Sequence, residues 1–172
     1  MKVKVKKLNE DSVIPSRAYD KDFGYDVVAI SEEQIAPNVW KYGIGLAFQI
    51  ERGNEIVVKG ESTVLAGTTY LEIDTPINMA KSPINLSIDF RPRSSVWKTG
   101  MVLSNCEGTI DELYRGEVSA IFYHVLPNMP RYRAGDKIGQ LKLGMAFPME
   151  FVEVDKLDDT ERGENGYGSS GR

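Results

Sequence analysis

Five short runs carry most of the side chains in this chain that could do chemistry. They are Asp22-Phe23-Gly24-Tyr25-Asp26, Arg91-Pro92-Arg93-Ser94-Ser95, Asn105-Cys106-Glu107-Gly108-Thr109-Ile110-Asp111-Glu112-Leu113-Tyr114-Arg115-Gly116, Gly135-Asp136-Lys137-Ile138-Gly139-Gln140, and the Gly-rich end from Thr160 to Arg172. A carboxylate with an ordinary pKa near 4 is a weak base, and it works only on a polarised water within hydrogen-bond reach. Asp111 could serve in that way, and it could equally be an Asx-type turn residue. A few local Arg side chains can hold a phosphate whatever the net charge, but Arg-Ser-Ser is also a simple turn and Gly-Asp-Lys a common hairpin tip. Taken singly, each run leaves both readings open.

Several chemistries are excluded. With one His and one Cys, the chain lacks the usual zinc sets. A Ser-His-Asp triad would have to use His124, which lies mid-strand on the face of Val118 and Phe122 and reads as a packed core histidine. No P-loop is present, and no Gly-x-Gly-x-x-Gly leads from a strand into a helix. A single Cys cannot form an internal disulfide and fits a reducing cytosol. The net charge of −4 argues against a general nucleic-acid or anionic-membrane binder. The basic start Met1-Lys2-Val3-Lys4-Val5-Lys6-Lys7-Leu8 is followed by no apolar stretch, so Val3 and Val5 read as a first strand rather than a leader. No stretch is long and apolar enough to span a bilayer, and a cytoplasmic location is expected.

The elements that must position these runs alternate with period two. Ile44, Leu46, Phe48 and Ile50 share a face, as do Ile84, Leu86, Ile88 and Phe90. Residues 118–125 are apolar on both faces, which predicts a strand buried on both sides. Further strands are expected over 55–59, 68–73, 101–103, 138–143 and 149–154, with Gly, Pro, Asn and Asp between them. One helix is expected from Ser31, capped by Gln34 and closed by Pro37. Many short strands predict an all-β sandwich, jelly roll or barrel. The end, from about residue 158, has too few apolar side chains to hold itself in a core. Tyr167 with its flanking arginine there suits a segment that orders over a ligand.

In this order, the five runs resemble the five motifs of the homotrimeric all-β dUTPases, from about Pro15 to Gly171. The resemblance implies a distorted jelly roll over 1–157 and an arm, 158–172, that closes over the site. It implies hydrolysis of dUTP to dUMP and pyrophosphate, Mg2+ as cofactor, and three sites shared between subunits. Asp111 matches the aspartate that activates water. Tyr114 matches the ring beneath the sugar, which excludes a ribose 2′-hydroxyl. Asn105 and the backbone of Gly108, Thr109 and Ile110 match the hairpin that reads uracil, with Ser119 beside it. Arg93, Ser94, Ser95 and Gln140 match the phosphate donors, joined from the arm by Arg162, Ser169 and Ser170. Tyr167 stands at the position of a Phe that stacks on uracil. Asp26 matches the first-motif aspartate, which touches the metal shell through water, so no direct protein ligand is expected.

The chain departs from the family pattern at Leu113, often Asp, and at Glu164 and Asn165, where small residues are usual. It also has extra length before Arg93, where an inserted hairpin over 52–82 is expected, either decorative or a surface for a protein partner as in phage-type relatives. A dCTP deaminase, which shares the fold and the Arg-Ser-Ser turn, is the rival enzyme. Ile110-Asp111 followed by Tyr114-Arg115-Gly116 fits dUTPase better.

Overall fold

The structure, a computed structural model, describes residues 1–53, 56–57, 76–77 and 83–166. Twelve strands occur among them: β1 (Lys2–Lys7), β2 (Tyr25–Val28), β3 (Ser31–Ala36), β4 (Val39–Gly43), β5 (Leu46–Glu51), β6 (Ile56–Val57), β7 (Pro76–Ile77), β8 (Asn85–Pro92), β9 (Met101–Leu103), β10 (Gly108–Asp111), β11 (Ser119–His124) and β12 (Lys137–Ala146). A 3-10 helix covers Ser94–Lys98. Among the described residues no helix is long and apolar enough to cross a membrane.

Two four-stranded antiparallel sheets, ordered β10-β8-β12-β2 and β3-β4-β11-β9, face each other, and β1 and β5 form a two-stranded ribbon. The architecture is an open sandwich rather than a closed barrel. Phe122 on β11, fully buried, meets Tyr42 of its own sheet edge-on at 5.9 Å and Phe90 of the opposite sheet at 6.3 Å. Such edge-to-face pairs add stabilisation beyond the burial of the rings. On β8, Leu86, Ile88 and Phe90 face this core, so Ser87, Asp89 and Arg91 fall on the other face by the period-two rule. That polar face carries the candidate chemistry.

Four expectations need correction. The segment from Ser31 is strand β3, not a helix. Pro37 presets its φ and Asn38 takes φ +59, so the chain reverses as a hairpin into β4 and exchanges backbone bonds with it. Residues 149–154 form no strand, because an alternating pattern marks a face to be covered but supplies no neighbour: Met149, Phe151 and Val152 stand exposed. β11 is buried on one face only, with Tyr123 about half exposed. His124 is half-buried at the strand end, where its Nε2 lies 3.0 Å from the Met129 carbonyl, rather than packed in the core. Of the expected insertion, β6 and β7 pair antiparallel; the strand over 68–73 lies outside the described residues.

Candidate active site

The third run builds the first half of the site. β10 is an edge strand: β8 occupies one side, and no strand follows on the other among the described residues. An edge leaves alternate backbone N–H and C=O groups available to a ligand. The strand enters from a tight tip at Cys106, φ +52, where the Glu107 N–H donates to the Asn105 carbonyl. Glu107 is held from the sheet by Arg91 at 2.6 Å and Lys142 at 3.2 Å, and these two cations keep its carboxyl below the ordinary range. At the far end the Tyr114 N–H donates to the Asp111 carbonyl at 2.9 Å, closing a turn that leaves the Asp111 carboxylate exposed.

Thr109, Ile110, Asp111, Tyr114 and Ser119 line one cavity of about 200 Å³ with Glu117 and Val118. The Tyr114 hydroxyl donates to the Glu117 carbonyl at 3.0 Å, which fixes the ring against the cavity wall. A Cβ on Gly116 would come within 2.3 Å of that hydroxyl, so a side chain there would displace the ring. A larger cavity, about 430 Å³, lies between Val3, Val5, Phe48, Ile88 and Leu141. Its lining is mostly apolar, and the Lys142 ammonium at its wall is already tied to Asp89 and Glu107.

The first, second and fourth runs build the other half around Asp26, which is 6% exposed on β2. Its Oδ1 accepts from Gln140 Nε2 at 3.0 Å and lies 3.3 Å from Arg93 Nε, while Oδ2 accepts from Lys137 Nζ at 3.0 Å. Burial works against the Asp26 charge, but the bonds from Lys137 and Gln140 and the Arg93 charge outweigh it and hold the carboxyl below its ordinary range. Lys137 and Gln140 are an odd number of residues apart and would point to opposite faces of a regular strand. A register shift between Lys137 and Gly139 reverses that parity and aims both at Asp26. Ser94 and Ser95 follow Arg93 directly and open the 3-10 helix.

The two halves do not meet within one chain. Asp26 is in register with Gln140, which is opposite Arg91 on β8, whereas Asp111 is opposite Ser87. With β10 and β2 at opposite edges of the sheet, strand rise and spacing put the two aspartates roughly 20 Å apart. Arg162 donates to the Asn165 carbonyl in its own turn, and so is engaged locally rather than at either half. Tyr167, Ser169 and Ser170 lie outside the described residues. Among the described residues no cluster of three His, Cys, Asp or Glu could by itself hold a metal.

Three contributors escaped the sequence reading. Lys137 was hidden by the strand irregularity. Glu117, whose Oε1 accepts the Gly45 N–H at 2.9 Å, sits between Gly116 and Val118 with no local pattern to mark it. Arg52 pairs with Glu112 across a long stretch of sequence.

Against known proteins, the family model for dUTPase matches residues 47–171. The deoxyuridine 5′-triphosphate nucleotidohydrolase of Nautilia profundicola is 31% identical over the whole of both chains. That of Gloeothece citriformis is 31% identical over 99% of this chain and 97% of its own. Among solved structures, the Staphylococcus bacteriophage 80alpha dUTPase with dUpNHpp superposes with a TM-score of 0.68, at 20% identity over 99% of both chains. The dUTPase of phage phi11 of S. aureus, a structure that visualises a species-specific insert, gives a TM-score of 0.61 at 17% identity over 93% of this chain and all of its own. The extent of these matches and the order of the motifs agree: this chain belongs to the dUTPase family.

Proposed function

We propose that the chain hydrolyses dUTP to dUMP and pyrophosphate, with Asp111 as the base that activates water for attack at the α-phosphate. The observation that carries this is the single cavity shared by Thr109, Ile110, Asp111, Tyr114 and Ser119. The edge of β10 and Asn105 read the uracil edge, where an unpaired buried polar group would be costly for the wrong base. The Tyr114 ring, fixed by Glu117, packs under the deoxyribose and leaves no room for a 2′-hydroxyl. Arg93, Gln140 and the Ser94–Ser95 donors hold the phosphates, with Lys137 adding a cation beside them. Asp26 keeps Arg93 and Gln140 aligned for that purpose.

Mg2+ fits this arrangement as a guest of the triphosphate. Asp26, set beside the Arg93 and Gln140 donors, is the carboxylate that would face a small cation keeping phosphate and water ligands. When bound it would offset phosphate charge, and Asp26, now bonded to Lys137 and Gln140, would be the residue that holds it through water. The arm, 158–172, is assigned as the lid that brings Arg162, Tyr167, Ser169 and Ser170 over the substrate. Because the two halves of the site lie at opposite edges of one sheet, the working unit is assigned as a homotrimer whose sites combine residues of different chains.

Pyrophosphate release with dUTP, UTP, dTTP and dCTP tests the reading. Asp111→Asn should lower kcat on dUTP by about two to four orders of magnitude, the range of a lost general base. Undiminished turnover in that variant would overturn the assignment of Asp111, and equal rates on UTP and dUTP would overturn that of Tyr114.

A second role is favoured by one feature: among the described residues β6 and β7 pair with each other and with no other strand. We assign 52–82 as a surface for a protein partner, as expected of phage-type relatives. Replacing 54–82 with a short Gly-Ser turn should leave hydrolysis intact while abolishing partner capture. Hydrolysis lost together with the segment would place it in the enzyme instead.

A further inference from the structure

Arg52 leaves the end of β5 where the extra length begins, and Ile84 and Leu86 stand where the chain re-enters the sandwich as β8. Arg52 and Leu86 meet on Glu112, the residue that follows Asp111, and Ile84 holds Arg52 there. Arg52 Nε and Nη2 donate to the two Glu112 carboxylate oxygens at 2.7 and 2.6 Å, and Nη2 also donates to the Ile84 carbonyl at 2.9 Å. The Leu86 backbone N–H adds a bond to the same carboxylate. Both side chains are about one-fifth exposed, so the pair is screened far less than a surface ion pair. This two-pronged geometry needs the planar guanidinium fork and fixes orientation as well as distance.

The neighbouring groups are held by separate means. Tyr114 is fixed by its hydroxyl on the Glu117 carbonyl, and β10 is held by its ladder with β8. Asp111 is the last residue of that ladder, and its carboxylate is exposed. Its backbone is anchored on one side by the ladder and on the other by the Tyr114 N–H on its own carbonyl, by Arg115 on the Glu112 carbonyl and by whatever holds the Glu112 side chain. Leu113, 85% exposed, packs against nothing that could do so.

We propose that Arg52 and Glu112 form a positioning pair for Asp111, which ties both roots of the inserted segment to the turn that carries the catalytic carboxylate. This rests on the assignment of Asp111 as the base. The pair touches neither base, sugar nor phosphates in that assignment, so its loss should slow the chemical step while sparing substrate binding. Misplacing a catalytic group by an ångström or less is enough to cost one to two orders of magnitude.

The test compares full-length Arg52→Met, Arg52→Lys and Glu112→Gln with the natural sequence in steady-state dUTP hydrolysis, with melting temperature as the check on folding. Arg52→Met should lower kcat roughly tenfold with KM changed by less than about twofold. Arg52→Lys, which keeps the charge but not the fork, should recover only part of the loss. Glu112→Gln preserves the size of the side chain and an acceptor for the Leu86 N–H, and should lower kcat at least threefold. It decides the matter alone if Arg52→Met does not fold. Folded variants with kcat within twofold of the natural protein would overturn the proposal, as would a rise in KM equal to the fall in kcat. Asp111→Asn is measured in parallel. If it abolishes turnover while the pair's variants are neutral, only the positioning role fails; if it retains turnover, the reading of Asp111 fails first.

Discussion

Asp26 shows how one residue sets the chemistry of its neighbours. Buried among Lys137, Gln140 and Arg93, it is the only carboxylate among the described residues in contact with all three, and its pKa is held below the ordinary value near 4. The sign of its pH effect follows from that. The unfolded chain binds a proton at Asp26 at a higher pH than the folded chain does, so stability rises with pH through this window. The contribution is complete above the ordinary carboxylate range and is lost as pH falls through the depressed folded value. Asp26→Asn should therefore cost about 1–3 kcal/mol at neutral pH, the cost of breaking a charged hydrogen-bond set, and the penalty should shrink below about pH 4. Melting curves by circular dichroism from pH 2 to 7 check this; parallel curves for the two proteins would contradict it. At this scale the sequence was informative where residues act next to each other. Asp111 and Tyr114 share one turn and were legible, whereas the grouping of Lys137 with Asp26 depends on a partner more than a hundred positions away.

At the scale of elements, β12 holds its irregularity in place through Gly139. A Cβ there would lie 2.2 Å from the Phe90 ring and 2.7 Å from the Arg91 carbonyl, so the strand can follow β8 closely only with glycine. Gly139→Ala should destabilise the fold by about 1–3 kcal/mol through overpacking, and should raise KM for dUTP as Gln140 and Lys137 turn away from Asp26. Thermal melts and steady-state kinetics measure both; a KM unchanged in a destabilised variant would mean that the bulge serves the core alone. β11 was marked by its apolar run, which does not show that only one face is covered, whereas alternation made β5 and β8 readable because each buries one face. β3 was not readable for the opposite reason. It is an edge strand exposed along most of its length, and its side chains carry almost no periodic signal. Its identity lies in the Pro37-Asn38 turn and in the ladder with β4, and a capping-box reading of Ser31 and Gln34 took no account of either. Residues 149–154 are the converse case, alternating in pattern yet exposed in the isolated chain.

For the whole molecule, the separation of the two halves has a consequence that can be tested without a new structure. Within one chain, Asp111 lies on the edge strand β10 and Asp26 on the opposite edge strand β2, while Arg93 is drawn toward Asp26. If each working site takes Asp111 from one chain and Arg93 from another, a chain defective in one half can be complemented by a chain defective in the other. Asp111→Asn and Arg93→Ala should each be nearly inactive alone. Mixed after denaturation and refolding together, the two should form trimers in which each site draws its halves at random. One quarter of sites would then pair a natural Asp111 with a natural Arg93, so activity should return to roughly a quarter of the natural level. Simple mixing of folded trimers should restore nothing until subunits exchange. Sites confined to single chains predict no recovery under either protocol, because every chain in the mixture lacks one half. The same mixture separates binding from catalysis: the recovered sites should show the natural KM, since each contains a complete set of donors and only their number has fallen.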